Sequence, residues 1–285
     1  MRTRIARFMG MLAIAALSTV ALAEETPAPA APPPSPFTFS ANVNAATDYY
    51  FRGLTQTWGQ PAIQGGFDAS HTSGLYAGFW ASNVSGNQFA GGSLETDWYG
   101  GYNYKVNDDF TLGAGLIYYW YPNANYNKAA ACATTACPDQ SYNTFEGNLS
   151  AAWKFLSFKW SYAFTDYFGA NESTGYDGDT SGSMYFDLTA NYPLKVLGGL
   201  NIIAHVGYTY YSASTVAPLN GQTDPSYWDW KLGVNKTWDG GWNLGLYYVQ
   251  GSNSFWENTQ SVSTTAPDTK DLNKAMVVLQ FGKTF

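Results

Sequence analysis

Charge and reactive side chains are scarce in this chain of 285 residues. Charged residues make up 12% of it, and there are only two His and two Cys. A soluble domain ordinarily carries about a quarter charged residues. So few imidazoles and thiols leave little scope for metal or redox chemistry, and neither a metal site nor a cofactor is expected. Basic residues are the rarer charge, 14 Lys and Arg against 21 Asp and Glu. That balance argues against nucleic acid as a partner, because phosphates require a basic surface. Catalysis lacks its parts as well. No GxSxG elbow occurs, and His71 and His205 fall in separate segments, one in a turn and one facing inward. Neither the Ser–His pair of a phospholipase barrel nor the carboxylate–His rim of an omptin-like protease is expected, so no catalytic residue is assigned. Beyond the N-terminal segment, no stretch approaches the roughly 18 consecutive apolar residues of a membrane helix.

Aromatic residues and glycine are abundant instead: 18% Phe, Trp and Tyr, with 29 Gly. That composition suits a β-barrel whose outer face meets lipid. The N-terminus supports export. Arg2, Arg4 and Arg7 form a positive region, Phe8 to Val20 a short apolar one, and Ala21-Leu22-Ala23 a small-residue cleavage site. Residues 1–23 therefore read as a cleaved signal peptide. Cleavage removes three basic and no acidic residues, which leaves a net charge of −10. Residues 24–36 (EETPAPAAPPPSP) read as an extended Pro/Ala-rich periplasmic linker. No Cys follows the cleavage site, so a lipoprotein anchor is not expected.

Residues 37–285 read as one all-β domain, a transmembrane antiparallel up-and-down barrel. Strands that cross an outer membrane need about 9–11 residues, apolar outward and polar inward. Twelve segments fit: 37–50, 61–71, 74–84, 93–106, 109–121, 142–154, 157–168, 183–193, 200–212, 227–238, 241–251 and 273–285. Their connections alternate. Short turns such as His71-Thr72-Ser73-Gly74 and Trp238-Asp239-Gly240-Gly241 carry the Asn, Asp and Gly of tight hairpins. Long loops stand at 51–60, 85–92, 122–141, 169–182, 213–226 and 252–272. Outer-membrane barrels keep short turns in the periplasm and long loops outside, and an even strand count returns both termini to the periplasm.

Period-two parity assigns the faces. The outward sets are apolar and aromatic: Leu75, Ala77, Phe79 and Ala81; Phe110 to Trp120 in alternation; Phe158, Trp160, Tyr162 and Phe164; Trp228, Trp230, Leu232 and Val234. Aromatics gather near strand ends, as in the two girdles of a membrane barrel. A soluble barrel would put the same apolar face inside, and parity alone does not separate the two. The terminal Phe285, the Trp-bearing face and the long alternate loops favour the membrane. In the last strand Val277, Leu279 and Phe281 share one face. Phe281 and Phe285 are the expected assembly signal for the barrel-assembly machinery. Lys283 stands where an apolar residue is common, and its stem can snorkel to the interface.

The inward set defines candidate pore-lining residues. The acids are Asp48, Asp68, Glu95, Asp97, Glu146, Asp187 and Asp229; the bases are Arg52, Lys105, Lys154, Lys159, Lys231 and Lys274. This near balance is either a network that braces a narrow barrel or a transverse field across it. Inward aromatics include Tyr76, Tyr99, Tyr119 and Trp80. They either fill a small lumen or form a track for sugars or aromatic compounds. On a straight strand Asp48 and Arg52 share a face and lie roughly 13 Å apart. Arg52 is then either a constriction residue or a rim arginine that satisfies loop carbonyls. Cys132 and Cys137, within ACATTAC, pair in an oxidising compartment. Such a bridge stiffens an exposed loop or folds it into the pore mouth. Glu172, Asp177 and Asp179 lack the spacing of a calcium loop and read as a solvated acidic loop.

Several blocks carry a resemblance. TDYYFRGLTQTWGQPAIQGGFDASHTSGLYAGFWASNV (47–84), SLETDWYGGY (93–102), IYYWYP (117–122) and WKFLSFKWSYAFTDYFG (153–169) occur in order. The chain 37–285 resembles the TorF-type family of porins, a group of conserved hypothetical proteins. The resemblance implies an outer-membrane β-barrel that acts as a channel. Together with the residues, it gives the expectation of a porin-like channel in the outer membrane for passive diffusion of small polar or aromatic solutes. The expected partners are membrane lipid and lipopolysaccharide. The alternative is a non-conducting barrel that acts through its loops as receptor, adhesin or structural protein.

Overall fold

The computed structural model describes residues 35–133, 135–194, 198–264 and 268–285. The signal peptide expected over 1–23 and the linker as far as residue 34 lie outside the described residues. The first barrel strands are β1 (Phe37–Ala46), β2 (Ala62–His71), β3 (Leu75–Asn83) and β4 (Leu94–Lys105). They are followed by β5 (Phe110–Trp120), β6 (Thr144–Trp153), β7 (Leu156–Ala163) and β8 (Met184–Leu194). The last four are β9 (Leu200–Tyr210), β10 (Tyr227–Thr237), β11 (Trp242–Gly251) and β12 (Met276–Thr284). Each pairs antiparallel with its sequence neighbours, and β1 meets β12 in the register Asn42↔Thr284 to Ala46↔Gln280. Closure leaves no sheet edge, so every strand finds a partner on both sides. Among the described residues, no helix is long and apolar enough to cross a membrane.

The parity reading holds along the outer wall. Leu112, Leu116, Leu149, Leu232 and Leu279 are exposed mid-strand. Phe37, Trp153, Trp238, Trp242 and Phe285 surround the short-turn end, and Trp120, Phe164, Tyr210 and Trp228 the loop end. An apolar wall this continuous is unfavourable in water and fits an apolar solvent.

Three expected strand spans shorten. The first stops at Ala46: β2 begins at Ala62 opposite it, and although β12 runs on to Met276, only Thr47 continues the pairing, its N–H on Leu279 O at 3.0 Å. The segment 157–168 runs from Leu156 only to Ala163, after which Tyr167 turns inward with its N–H on Thr180 Oγ1 at 2.7 Å. The last strand starts at Met276, so Lys274 precedes it and is exposed. The buried side chains lie inside the barrel toward its loop end. Leu54, Trp58, Tyr167, Tyr211, Tyr227 and Leu272 form one cluster, and Val84, Phe89, Tyr119, Tyr121 and Tyr142 another.

Candidate functional site

The site is the lumen, and the segment 47–61 fills its loop end. Asp48 fastens the base of this segment: its Oδ1 accepts from Thr55 Oγ1 at 2.6 Å and Thr57 Oγ1 at 2.7 Å. Burial pushes the Asp48 carboxyl up, and those two hydroxyls partly offset the shift. Tyr50–Phe51 pairs with Leu54–Thr55 as a minimal hairpin. Its two turn residues, Arg52 (φ 45°) and Gly53 (φ 77°), both take positive φ, the pattern of a type I′ turn. A Cβ on Gly53 would stand 2.4 Å from Asp229 Cβ, so the hairpin tip abuts the β10 wall and only glycine fits.

From that tip Arg52 reaches back to β6. Its Nη1 and Nη2 donate to Glu146 Oε1 (2.8 Å) and Oε2 (2.7 Å), and Nη1 also donates to Tyr167 Oη at 2.7 Å. The guanidinium lies 4.3 Å from the Tyr185 ring centroid and 4.7 Å from that of Phe51. The Arg52 and Glu146 side chains are only 6% and 2% exposed. A bidentate, buried pair of this kind fixes position as well as charge. The straight-strand placement of Asp48 and Arg52 is therefore corrected. The chain leaves the sheet at Ala46 and folds inward, and Arg52 grips a carboxylate across the lumen rather than rim carbonyls.

Around the hairpin, the Tyr49 hydroxyl donates to Glu95 Oε1 at 3.1 Å, and the Trp80 ring meets Tyr49 edge-on at 5.4 Å. Tyr119 Oη reaches Glu146 Oε2 at 3.5 Å. Glu95 Oε2 and Asp97 Oδ1 are buried and, among the described residues, have no hydrogen-bond partner.

Toward the short turns the interior opens. Tyr99 donates to Asp68 at 2.6 Å while its ring lies over Gly78, where a Cβ would meet it at 2.4 Å. Tyr76 likewise lies against Gly101 and Gly115. On the wall opposite, Asp187 pairs in register with Lys159, and His205 with Lys231. His205 Nε2 is 2.9 Å from Asp229 Oδ1, its Nδ1 is 2.9 Å from Thr189 Oγ1, and the Tyr185 hydroxyl donates to both Asp229 oxygens. Lys231 Nζ sits 5.4 Å from the Tyr247 ring centroid. The acids Asp68, Glu95 and Asp97 thus lie on β2 and β4, while Lys159, His205 and Lys231 lie on β7, β9 and β10 together with the acids Asp187 on β8 and Asp229 on β10.

Three expected lumen bases are not there. Lys105 ends β4 and pairs with Asp108 at 2.8 Å; Lys154 occupies the β6–β7 turn with φ 55° and pairs with Asp109 at 3.6 Å. Both are half exposed or more, because parity was carried past the last residues that the wall encloses. Lys274 lies in a loop, where its carbonyl accepts from the Tyr50 hydroxyl at 2.8 Å. Cys132 and Cys137 form a disulfide (Cα–Cα 5.5 Å) in the loop between β5 and β6. Phe281 faces outward and stacks on Trp242, and Lys283 Nζ lies 5.0 and 4.7 Å from the ring centroids of Trp242 and Phe285. His205 and Tyr167 were not among the expected site residues. Parity placed His205 inward, but its partners are on other strands.

These features define a closed antiparallel barrel of twelve strands with an apolar exterior and a charged interior, its loop end filled by an inward hairpin. The chain belongs to the Gcw_chp family, described as bacterial protein of unknown function, whose model matches residues 30–285. Among curated proteins, none matches the sequence. Among solved structures it is similar to the KdgM porin (10% identity, TM-score 0.46, covering 86% of this chain and 98% of that one). The NanC porin shares 10% identity at TM-score 0.48, with the same coverages. The COG4313 outer membrane channel from Pseudomonas putida F1 shares 15% identity at TM-score 0.46, covering 92% of this chain and all of that one. At those values the likenesses say nothing of solute or mechanism.

Proposed function

We propose that this chain is an outer-membrane channel for passive diffusion of small polar or aromatic solutes. One observation carries the reading: charged and hydroxyl-bearing side chains line the inside of a wall whose outside is apolar and belted by aromatics. On this reading the chain is exported by a cleaved signal peptide and lies among lipid and lipopolysaccharide. Its last strand, with Phe281 and Phe285, engages the barrel-assembly machinery. The sequence resemblance to TorF-type porins supports the same assignment. The pathway is lined by Asp68, Tyr76, Tyr99, Lys159, Asp187, Asp229 and Lys231 toward the short turns, and by Asp48, Arg52, Trp80, Glu95, Asp97, Tyr119 and Glu146 at the hairpin. The β2 and β4 wall carries acids alone, whereas on the opposite wall Asp187 and Asp229 stand among Lys159, His205 and Lys231, so the unpaired acids set the field across the lumen. No catalytic role and no cofactor enter this reading.

The inward hairpin favours a second reading, a barrel that does not conduct and acts through its loops. Single-channel recording of the refolded mature chain under a salt gradient separates the two. Stable steps are the expected result. Arg52→Ala should raise cation over anion permeability, because Glu146 then stands unpaired in the pathway. Silence in both proteins, each folded, would favour the second reading.

A further inference from the structure

All six long loops contribute side chains to one cavity of about 500 Å³ above the hairpin. Its walls are rings from different connections, among them Phe51, Tyr142, Phe168, Tyr211 and Trp256. The floor residues Leu54, Tyr167 and Leu272 are buried, whereas Leu219, Asn220 and Glu257 at the mouth are exposed, so the cavity faces away from the lumen. The rings support one another around the void. Tyr126 stacks on Tyr142 at 4.3 Å, Tyr167 meets Tyr211 edge-on at 5.1 Å, and Phe51 meets Phe168 edge-on at 5.9 Å. Side chains that served only to seal the barrel would close such a space, since interiors pack to near-crystalline density with few voids. The volume is instead that of a small-molecule site.

We infer that this cavity binds a neutral aromatic compound of one or two rings that carries a hydroxyl or N–H donor. Rings make up much of the wall, with amide and hydroxyl side chains between them, and ring faces and edges suit a flat ring that carries a polar group. Among the described residues no Lys or Arg lines the cavity, and the one carboxylate, Glu257, is at the mouth. Burial holds the Tyr126 and Tyr211 phenols above their usual range, so the walls are uncharged. Arg52 lies next to the floor residue Phe51, but Glu146 occupies both of its terminal nitrogens. An anion would be desolvated there without a cationic partner. The amide side chains of the lining, Gln56 and Gln88 among them, carry the acceptors for such a donor.

The inference rests on the channel reading only for why a solute would collect at the mouth, and binding is measured without a bilayer. The probe is indole, titrated calorimetrically into the refolded mature chain in a detergent free of rings. Benzoate and maltose serve as contrasts. Indole should bind saturably and one-to-one, with benzoate weaker by at least about tenfold because its charge would be buried unpaired. Leu219→Trp places a ring at the exposed mouth and should abolish saturable binding. Gln88→Leu should weaken indole several-fold while leaving the folded, heat-modifiable state intact. The inference is overturned if folded protein shows no saturable heat, if both variants bind as the parent does, or if benzoate or maltose binds as tightly as indole. A conducting chain that ignores indole sinks this inference alone. A silent chain that binds indole sinks the channel reading alone.

Discussion

The two ends of this barrel solve the burial of charge in opposite ways. At the loop end, carboxylates and a guanidinium are enclosed by rings: Arg52 and Glu146 are almost wholly buried, and each nitrogen meets an oxygen at 2.7–2.8 Å. At the turn end, the same kinds of groups stand partly open. Lys154 and Asp109 are 49% and 58% exposed at 3.6 Å, and Lys105 and Asp108 are more exposed still. The difference follows from what fills each end. Long loops supply Leu54, Trp58, Tyr167, Tyr211 and Leu272 as packing material. Among the described residues, the two- to five-residue turns supply none. The loop end is therefore a packed interior, and the turn end a solvated rim whose ion pairs stand exposed at the surface.

The sharpest break in that comparison is the Arg52–Glu146 pair. Removing one partner of a buried ion pair costs about 3–5 kcal/mol, because the other charge is left without compensation. Glu146→Ala should therefore lower the urea midpoint, followed by heat-modifiable electrophoresis, more than any other single change described here. Arg52 would keep the Tyr167 hydroxyl alone as a close acceptor. A midpoint equal to the parent's would mean that the hairpin does not dwell in the lumen, and the distinction between the two ends would collapse.

A smaller effect is expected from the wall itself. Gly78 stands directly opposite Tyr99, and a methyl group there would meet the ring at 2.4–2.6 Å. Tyr99 would have to swing away and release Asp68, to which it donates at 2.6 Å. Overpacking of this kind costs about 1–3 kcal/mol. Gly78→Val should show that loss by the same assay, and Tyr99→Ala in the same background should restore most of it. Failure of the second substitution to rescue would place the strain elsewhere.

The wall was legible in the sequence because its code is local. Strict alternation marked all twelve strands and sorted Leu116 from Glu146 and Phe158 from Lys159 without knowledge of any partner. The hairpin was not legible. Residues 48–50 read as the end of the first strand and 51–60 as an outer loop, and the turn carries Arg-Gly where Asn-Gly or Asp-Gly would have given the signal. What draws the segment inward is a set of distant partners, Glu146, Tyr167, Asp229 and Leu272, which no spacing within the segment encodes. Lys105 and Lys154 failed for a related reason: parity says which side a residue faces, but not where the enclosure ends.

That boundary yields the smallest prediction. If the turn end is a solvated rim, Lys154→Ala should change stability by no more than about 1 kcal/mol, the range for exposed ion pairs. Its Nζ is also 5.3 Å from the Trp153 ring centroid, a contact worth little at an exposed site. The same substitution should leave reversal potentials unchanged, since salt screens an exposed charge within about 10 Å. A shift in selectivity as large as that of Arg52→Ala would instead place Lys154 in the pathway and extend the narrow region to both ends of the barrel.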